Sequence, residues 1–139
     1  FAVPSILALL AISLTVVYAR EDRNQLEYLK EAYVFLKAAD KDGFNKDGLK
    51  EIFIDGRSLL AVEYISKYNN KLNVKNYPER FNDVNDAYVV VNKKMISGLK
   101  DIGKGGGIPD EIDNIPDKWI LVSEFGKINK DKVMIYYIQ

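Results

Sequence analysis

Residues 51–66 read EIFIDGRSLLAVEYIS, and the fold turns on how that stretch divides. Ile52 and Ile54 alternate with Phe53 in a short apolar run, Asp55-Gly56 stops it, and Leu59, Leu60, Val62, Tyr64 and Ile65 resume at helical spacing. A strand that passes through an Asp or Ser N-cap, here Asp55 or Ser58, into a helix is the first half of a parallel β/α unit. Its other half is LNVKNY, residues 72–77, a second strand cut off by Pro78. The interval from Glu51 to Tyr77 is just long enough for one handed crossover.

Downstream, DAYVVVNKK at residues 86–94 gives the clearest strand. Its apolar run from Ala87 to Val91 is nearly unbroken, as in a strand covered on both faces. Residues 95–116, MISGLKDIGKGGGIPDEIDNIP, read mostly as loop. The three glycines Gly105–Gly107 lack both a feeding strand and the spacing of a phosphate-cradling motif. The chain then closes with two strands, Trp119 to Phe125 and Lys132 to Ile138, separated by a polar turn and expected as an antiparallel hairpin.

Upstream, Leu26, Leu29, Tyr33 and Leu36 recur at three and four, with Ala32 and Ala39 beside them, which predicts an amphipathic helix in need of a partner. It ends in a turn-rich connection, Asp40 to Gly48. Asp40, Asp42 and Glu51 stand at the first, third and twelfth places of a calcium loop, but Phe44 and Asn45 replace the oxygen ligand and the glycine that such a loop needs. The connection therefore reads as a solvated acidic turn.

The opening is different in kind. Phe1 to Ala19 carries no charge, and its length suits a membrane-spanning helix, with Pro4 in the first turn and Tyr18 and Arg20 placed like an interfacial aromatic and a snorkelling cation. A signal segment ending at Val17-Tyr18-Ala19 and an unusually apolar core helix are the alternatives. The expected fold class is α/β: an N-terminal apolar, transmembrane-like helix over residues 1–19, then a small two- or three-layer α/β domain over residues 20–139 with a mixed sheet and a C-terminal hairpin. Membrane localisation, with residues 20–139 extracytoplasmic, follows from that reading. So do a lipid bilayer or membrane partner and self-association through Phe1–Ala19.

Composition removes whole classes of chemistry. The 139 residues hold no Cys and no His, so thiol nucleophiles, disulfides, imidazole bases and most transition-metal sites are out of reach. Twenty basic residues balance twenty acidic ones, leaving no bulk field to recruit nucleic acid. No cofactor, metal or catalytic residue is expected. Candidate contacts for a ligand are Asp55 and Arg57, just past the carboxyl end of a core strand, and Asn92 and Lys93, with Lys94, at the corresponding end of the Val strand. Those three could hold an anionic or sugar-like group. Tyr68 and Tyr77, near a strand–helix edge, could stack on a sugar or a partner.

Taken in order, the apolar helix, LEYLKEAYVFLK, EIFIDGRSLLAVEYISKY, DAYVVVNKK and WILVSEFG with KVMIYYI resemble the C-terminal extracytoplasmic part of polyprenyl- or dolichyl-phosphate-sugar dependent mannosyltransferase-like membrane enzymes. IFIDGRS (Ile52 to Ser58) and AYVVVN (Ala87 to Asn92) carry most of the likeness. The resemblance implies a large glycosyltransferase whose catalytic carboxylates lie between earlier membrane helices. This chain would be its accessory or acceptor-recognition domain, packed against the missing membrane helices of the same polypeptide and inactive alone. The alternative is a membrane-anchored, pilin-like filament or binding subunit, in which Ser5 stands where many pilins carry Glu.

Overall fold

The computed structural model describes residues 2–41, 50–66, 72–103 and 105–139, with side chains at 5–12, 25–39, 50–65, 72–103 and 105–139. In chain order these form α1 (Ala2–Lys41), β1 (Ile52–Ile54), α2 (Gly56–Ser66), β2 (Val74–Asn76), β3 (Ala87–Asn92), α3 (Lys93–Asp101), a short α4 (Asp110–Asp113), β4 (Trp119–Phe125) and β5 (Val133–Ile138). The expected turn over residues 42–48 and the candidate Tyr68 lie outside the described residues.

One five-stranded mixed sheet runs in the order β2-β1-β3-β5-β4. β1 pairs in parallel with β2 on one side and β3 on the other, and β5 runs antiparallel between β3 and β4. The chain leaves β1 through α2 toward one edge. It returns from β2 to β3 across the opposite face, through the segment that seats Phe81. Two parallel crossovers that run in opposite directions on opposite faces have the same hand, as the twist of the strands requires.

Side-chain alternation along these strands creates two cores. Ile52, Ile54, Val90, Val133 and Ile135 point to the layer formed by α1 and α2, against Leu29, Ala32, Tyr33, Leu36, Val62 and Ile65. Phe53, Val89, Val91, Met134, Tyr136 and Ile138 point the other way, where Phe81, Ile96 of α3, Ile112 of α4 and Trp119 cover them. Val89, Val133, Ile135 and Ile138 have no exposed surface at all. The Val run is thus a strand buried on both faces, and the domain has three layers. Aromatic edges lock the second core, with the Phe81 and Trp119 ring centroids 4.9 Å apart.

At the amino end of β3 a small polar clip joins three strands. Lys50 Nζ donates to Asp86 Oδ1 at 2.7 Å and to the Tyr137 hydroxyl at 3.3 Å, and the Tyr137 hydroxyl also donates to Asp86. Asp86 takes φ 53°, a left-handed conformation that Asp tolerates better than most residues and that turns the chain into β3.

Two expectations are corrected. Among the described residues no helix is long and apolar enough to cross a membrane. That overturns the transmembrane-like helix of the expected fold class and the membrane localisation built on it. The segment is also no separate element, because α1 continues as one 40-residue helix into the part that packs on the sheet.

The second correction concerns residues 95–101, read as part of a mostly loop segment but belonging to α3, which starts at Lys93. Asn92 caps it by accepting from the Met95 N–H, and Ile96 and Leu99 supply a buried stripe three residues apart. Gly98 and the glycines after Ile102 hid this helix behind a loop-like composition.

Candidate functional site

β1 and β3 are parallel neighbours, yet the helices that follow them lie on opposite faces of the sheet, α2 with the first core and α3 with the second. Such a switch point opens a crevice at the carboxyl ends of the strands, where helix N-termini and side chains converge.

Both helix starts are capped by buried polar side chains. Asp55 Oδ1 accepts from the Ser58 N–H at 2.9 Å, and Asn92 Oδ1 accepts from the Met95 N–H at 3.4 Å. Ser58 ties the two caps together, because Asn92 Nδ2 donates to its hydroxyl oxygen at 3.1 Å. Asp55, Ser58 and Asn92 are almost wholly withdrawn from solvent. Asp55 Oδ2, also buried, has no hydrogen-bond partner among the described residues. Burial pushes the Asp55 carboxyl above its ordinary range, while the Ser58 amide and hydroxyl pull the other way.

Tyr77 lies across the same strand ends. Its amide donates to the Ile54 carbonyl at 3.1 Å and its hydroxyl to the Val90 carbonyl at 2.5 Å. Burial, and then the Asp55 charge, hold its phenol well above the usual tyrosine value. The ring packs edge-on to Phe81, which with the two backbone hydrogen bonds makes Tyr77 a structural member of the crevice wall. Gly56 permits the tight start of α2: a Cβ there would meet Asn76 Oδ1 at 3.2 Å.

Arg57 is exposed, and with Lys94 it borders a cavity of about 410 Å³ between α1, α2 and the first turn of α3. Leu26, Leu29, Ala61 and the Met95 side chain give this cavity an apolar floor, and Gln25 completes the wall. Gln25 Nε2 donates to the Asp131 carbonyl at 3.3 Å, whereas its Oε1 is buried without a partner among the described residues. Lys93 parts from Lys94. Its ammonium donates to Asn129 Oδ1 at 3.4 Å, and it borders a second cavity of about 410 Å³ on the other face, over Val91, Ile96, Ile112 and Tyr136.

The structure thus brings together Asp55, Asn92 and Tyr77, sets Arg57 at the mouth of the adjoining cavity, and turns Lys93 away. Sequence reasoning did not single out Gln25. It stands one position before the apolar stripe of a helix and meets Asp131 across 106 residues, so no local pattern could have pointed to it. Among the described residues no three acidic side chains converge as a metal site, and Asp55 and Tyr77 are held in a helix cap and in hydrogen bonds to the backbone.

No family model matches the chain, and no curated protein or solved structure matches it. The expected kinship with lipid-phosphate-sugar glycosyltransferases is corrected accordingly. IFIDGRS and AYVVVN are explained by local physics, as buried strands that run into helix caps, and any β/α unit of this design would carry similar residues.

Proposed function

We propose that this domain is a non-catalytic recognition module that binds a small anion bearing hydroxyl groups, such as a phosphorylated sugar, in the cavity beside the ends of β1 and β3. The observation that carries this reading is the pairing of Arg57 and Lys94 across a cavity of about 410 Å³, a volume within the range of small-ligand sites. Each cation stands at the second position of its helix, where the helix dipole adds positive potential. The buried Gln25 Oε1 can accept from a ligand hydroxyl. The apolar floor suits the C–H face of a sugar ring.

The test is an amide chemical-shift titration of the full chain with glucose 1-phosphate, with inorganic phosphate and glucose as separate probes. Saturable shifts confined to Gln25, Arg57, Ser58, Lys94 and Met95, larger with the sugar phosphate than with phosphate alone, are expected. Shifts scattered over surface lysines, or none, would refute the reading.

A second reading rests on one observation. Ile6, Leu7, Leu9, Leu10 and Ile12 are all more than half exposed and spread over more than half of the circumference of α1, which favours an assembly subunit whose copies bundle through this end. Leu7→Lys with Leu10→Lys should then lower the sedimenting mass, and an unchanged mass would dismiss it.

A further inference from the structure

The cavity on the far face of the sheet stands apart from the crevice at the strand ends. It lies between α3 and α4 and has about 410 Å³, a volume within the range of small-ligand sites. Val91, Ile96, Ile112 and Ile115 give it an apolar floor. Its polar rim comes mostly from α3, where Lys93, Ser97 and Lys100 follow one another at four and three and so share a face. Asp113 of α4 stands opposite and pairs with Lys100. Two cations and one anion leave the rim one positive charge in surplus. In the wall, the buried Tyr136 hydroxyl has the Met134 sulfur, at 3.7 Å, as its partner. Sulfur is a weak acceptor, and a buried tyrosine hydroxyl ordinarily finds a better one.

We propose that this cavity is a second binding site, for a monocarboxylate with a flat apolar body. The carboxylate sits at Ser97, between two lysines whose Cα atoms lie about 10 Å apart along α3, so that both long side chains reach it. The body lies on the isoleucine floor, and the Tyr136 hydroxyl turns from sulfur to donate to a ligand oxygen. A single negative charge matches the surplus at the rim, whereas a dianion would be left half compensated. The cations exchange their present partners cheaply. Lys93 donates to a neutral amide at 3.4 Å. The Lys100 and Asp113 side chains are 41% and 48% exposed, so solvent already screens that pair and little is lost when a ligand carboxylate takes the place of Asp113. The turn at Gly105 keeps Lys100 beside the cavity, packing so closely that a Cβ there would meet Lys100 Cγ at 2.7 Å. Lys94 and Met95 of the same helix border the cavity on the other face, so the two sites share α3 as a wall but no side chain.

An amide chemical-shift titration of the full chain with 2-naphthoate tests this. Saturable shifts centred on Ser97, Ile112, Ile115 and Tyr136 are expected. Naphthalene-2-methanol, which keeps the body without the charge, and acetate, which keeps the charge without the body, should each bind at least about tenfold more weakly. Lys93→Gln with Lys100→Gln should weaken 2-naphthoate by at least about tenfold, and Tyr136→Phe, which keeps the ring, by at least about threefold. Amide spectra that match the parent away from the cavity show that these variants are folded. Arg57→Ala with Lys94→Ala should leave 2-naphthoate binding unchanged, which separates this site from the sugar-phosphate site. Equal affinity for the uncharged alcohol, equal weakening by the Arg57 and Lys94 substitutions, or shifts centred on the apolar turns Ile6 to Ile12 would overturn the proposal. The absence of saturable shifts would overturn it as well.

Discussion

Asp55 divides its carboxylate between two fates, one oxygen capping α2 and the other buried without a partner. Its folded pKa is raised above 3.8 by burial, so the unfolded state holds fewer protons between the two values. The stability this group contributes is complete below 3.8 and is lost as pH rises through the raised folded value. Asp86 has the opposite sign. The hydrogen bond from Lys50 lowers its pKa below 3.8, so its contribution is present above 3.8 and lost as pH falls through the depressed value. The Asp86 side chain is 65% exposed, and solvent screening keeps that effect small. The two windows adjoin without overlapping. Urea denaturation across pH 3 to 7 should therefore show Asp55→Asn flattening the decline above 3.8, with Asp86→Asn affecting only the acid limb. Asn92→Ala should cost about 1–3 kcal/mol, since it removes the α3 cap and leaves the Ser58 hydroxyl short of a donor. The Asp55 cap was legible in the sequence as a residue type at a helix start, whereas Asn92 read only as the end of a strand. Their coupling was not legible either, because the Asn92–Ser58 contact spans 34 residues and only the parallel β1–β3 register creates it.

At the scale of elements, two glycines with identical chemistry should respond in opposite directions. Gly98 sits inside α3, and a Cβ there would meet nothing within 4 Å; Gly98→Ala should raise stability by about 0.5–1 kcal/mol through helix propensity and a less flexible unfolded chain. Gly126 follows β4 at φ 116°, and a Cβ would press on Lys132 Cα at 3.3 Å and the Tyr28 ring at 3.4 Å. Gly126→Ala should lower stability by at least about 1 kcal/mol. Thermal melts of the two variants measured side by side check both signs. Strands with strong alternation or a continuous apolar run were readable, as was the C-terminal hairpin, because their burial is written in neighbouring residues. α3 was not, since its apolar stripe is short and two of its signals, the Asn92 cap and the buried floor under Ile96, depend on tertiary placement.

At the scale of the molecule, the sheet holds a well-covered centre between the crevice at the strand ends and the exposed β4 edge. Ile135, without exposed surface in the middle of β5, supports both. Ile135→Ala should cost about 2–5 kcal/mol in denaturant unfolding and weaken ligand binding only by lowering the folded fraction. The α/β class and mixed sheet could be anticipated from a strand–helix–strand pattern followed by a hairpin, but not the number of layers. The reach of α1 could not, because an apolar opening and an amphipathic continuation look like two elements until one unbroken helix joins them.

The measurement that bears most directly on recognition at the crevice is the affinity of the full chain for glucose 1-phosphate by calorimetry, compared among the parent, Arg57→Ala with Lys94→Ala, and Lys93→Ala. Arg57 and Lys94 border the cavity, whereas Lys93 points to the other face. Loss of at least about tenfold in affinity, or roughly 1.4 kcal/mol, in the double variant with Lys93→Ala near the parent is the expected result. Equal weakening by all three substitutions, or no binding by the parent, would contradict a ligand site at the ends of β1 and β3.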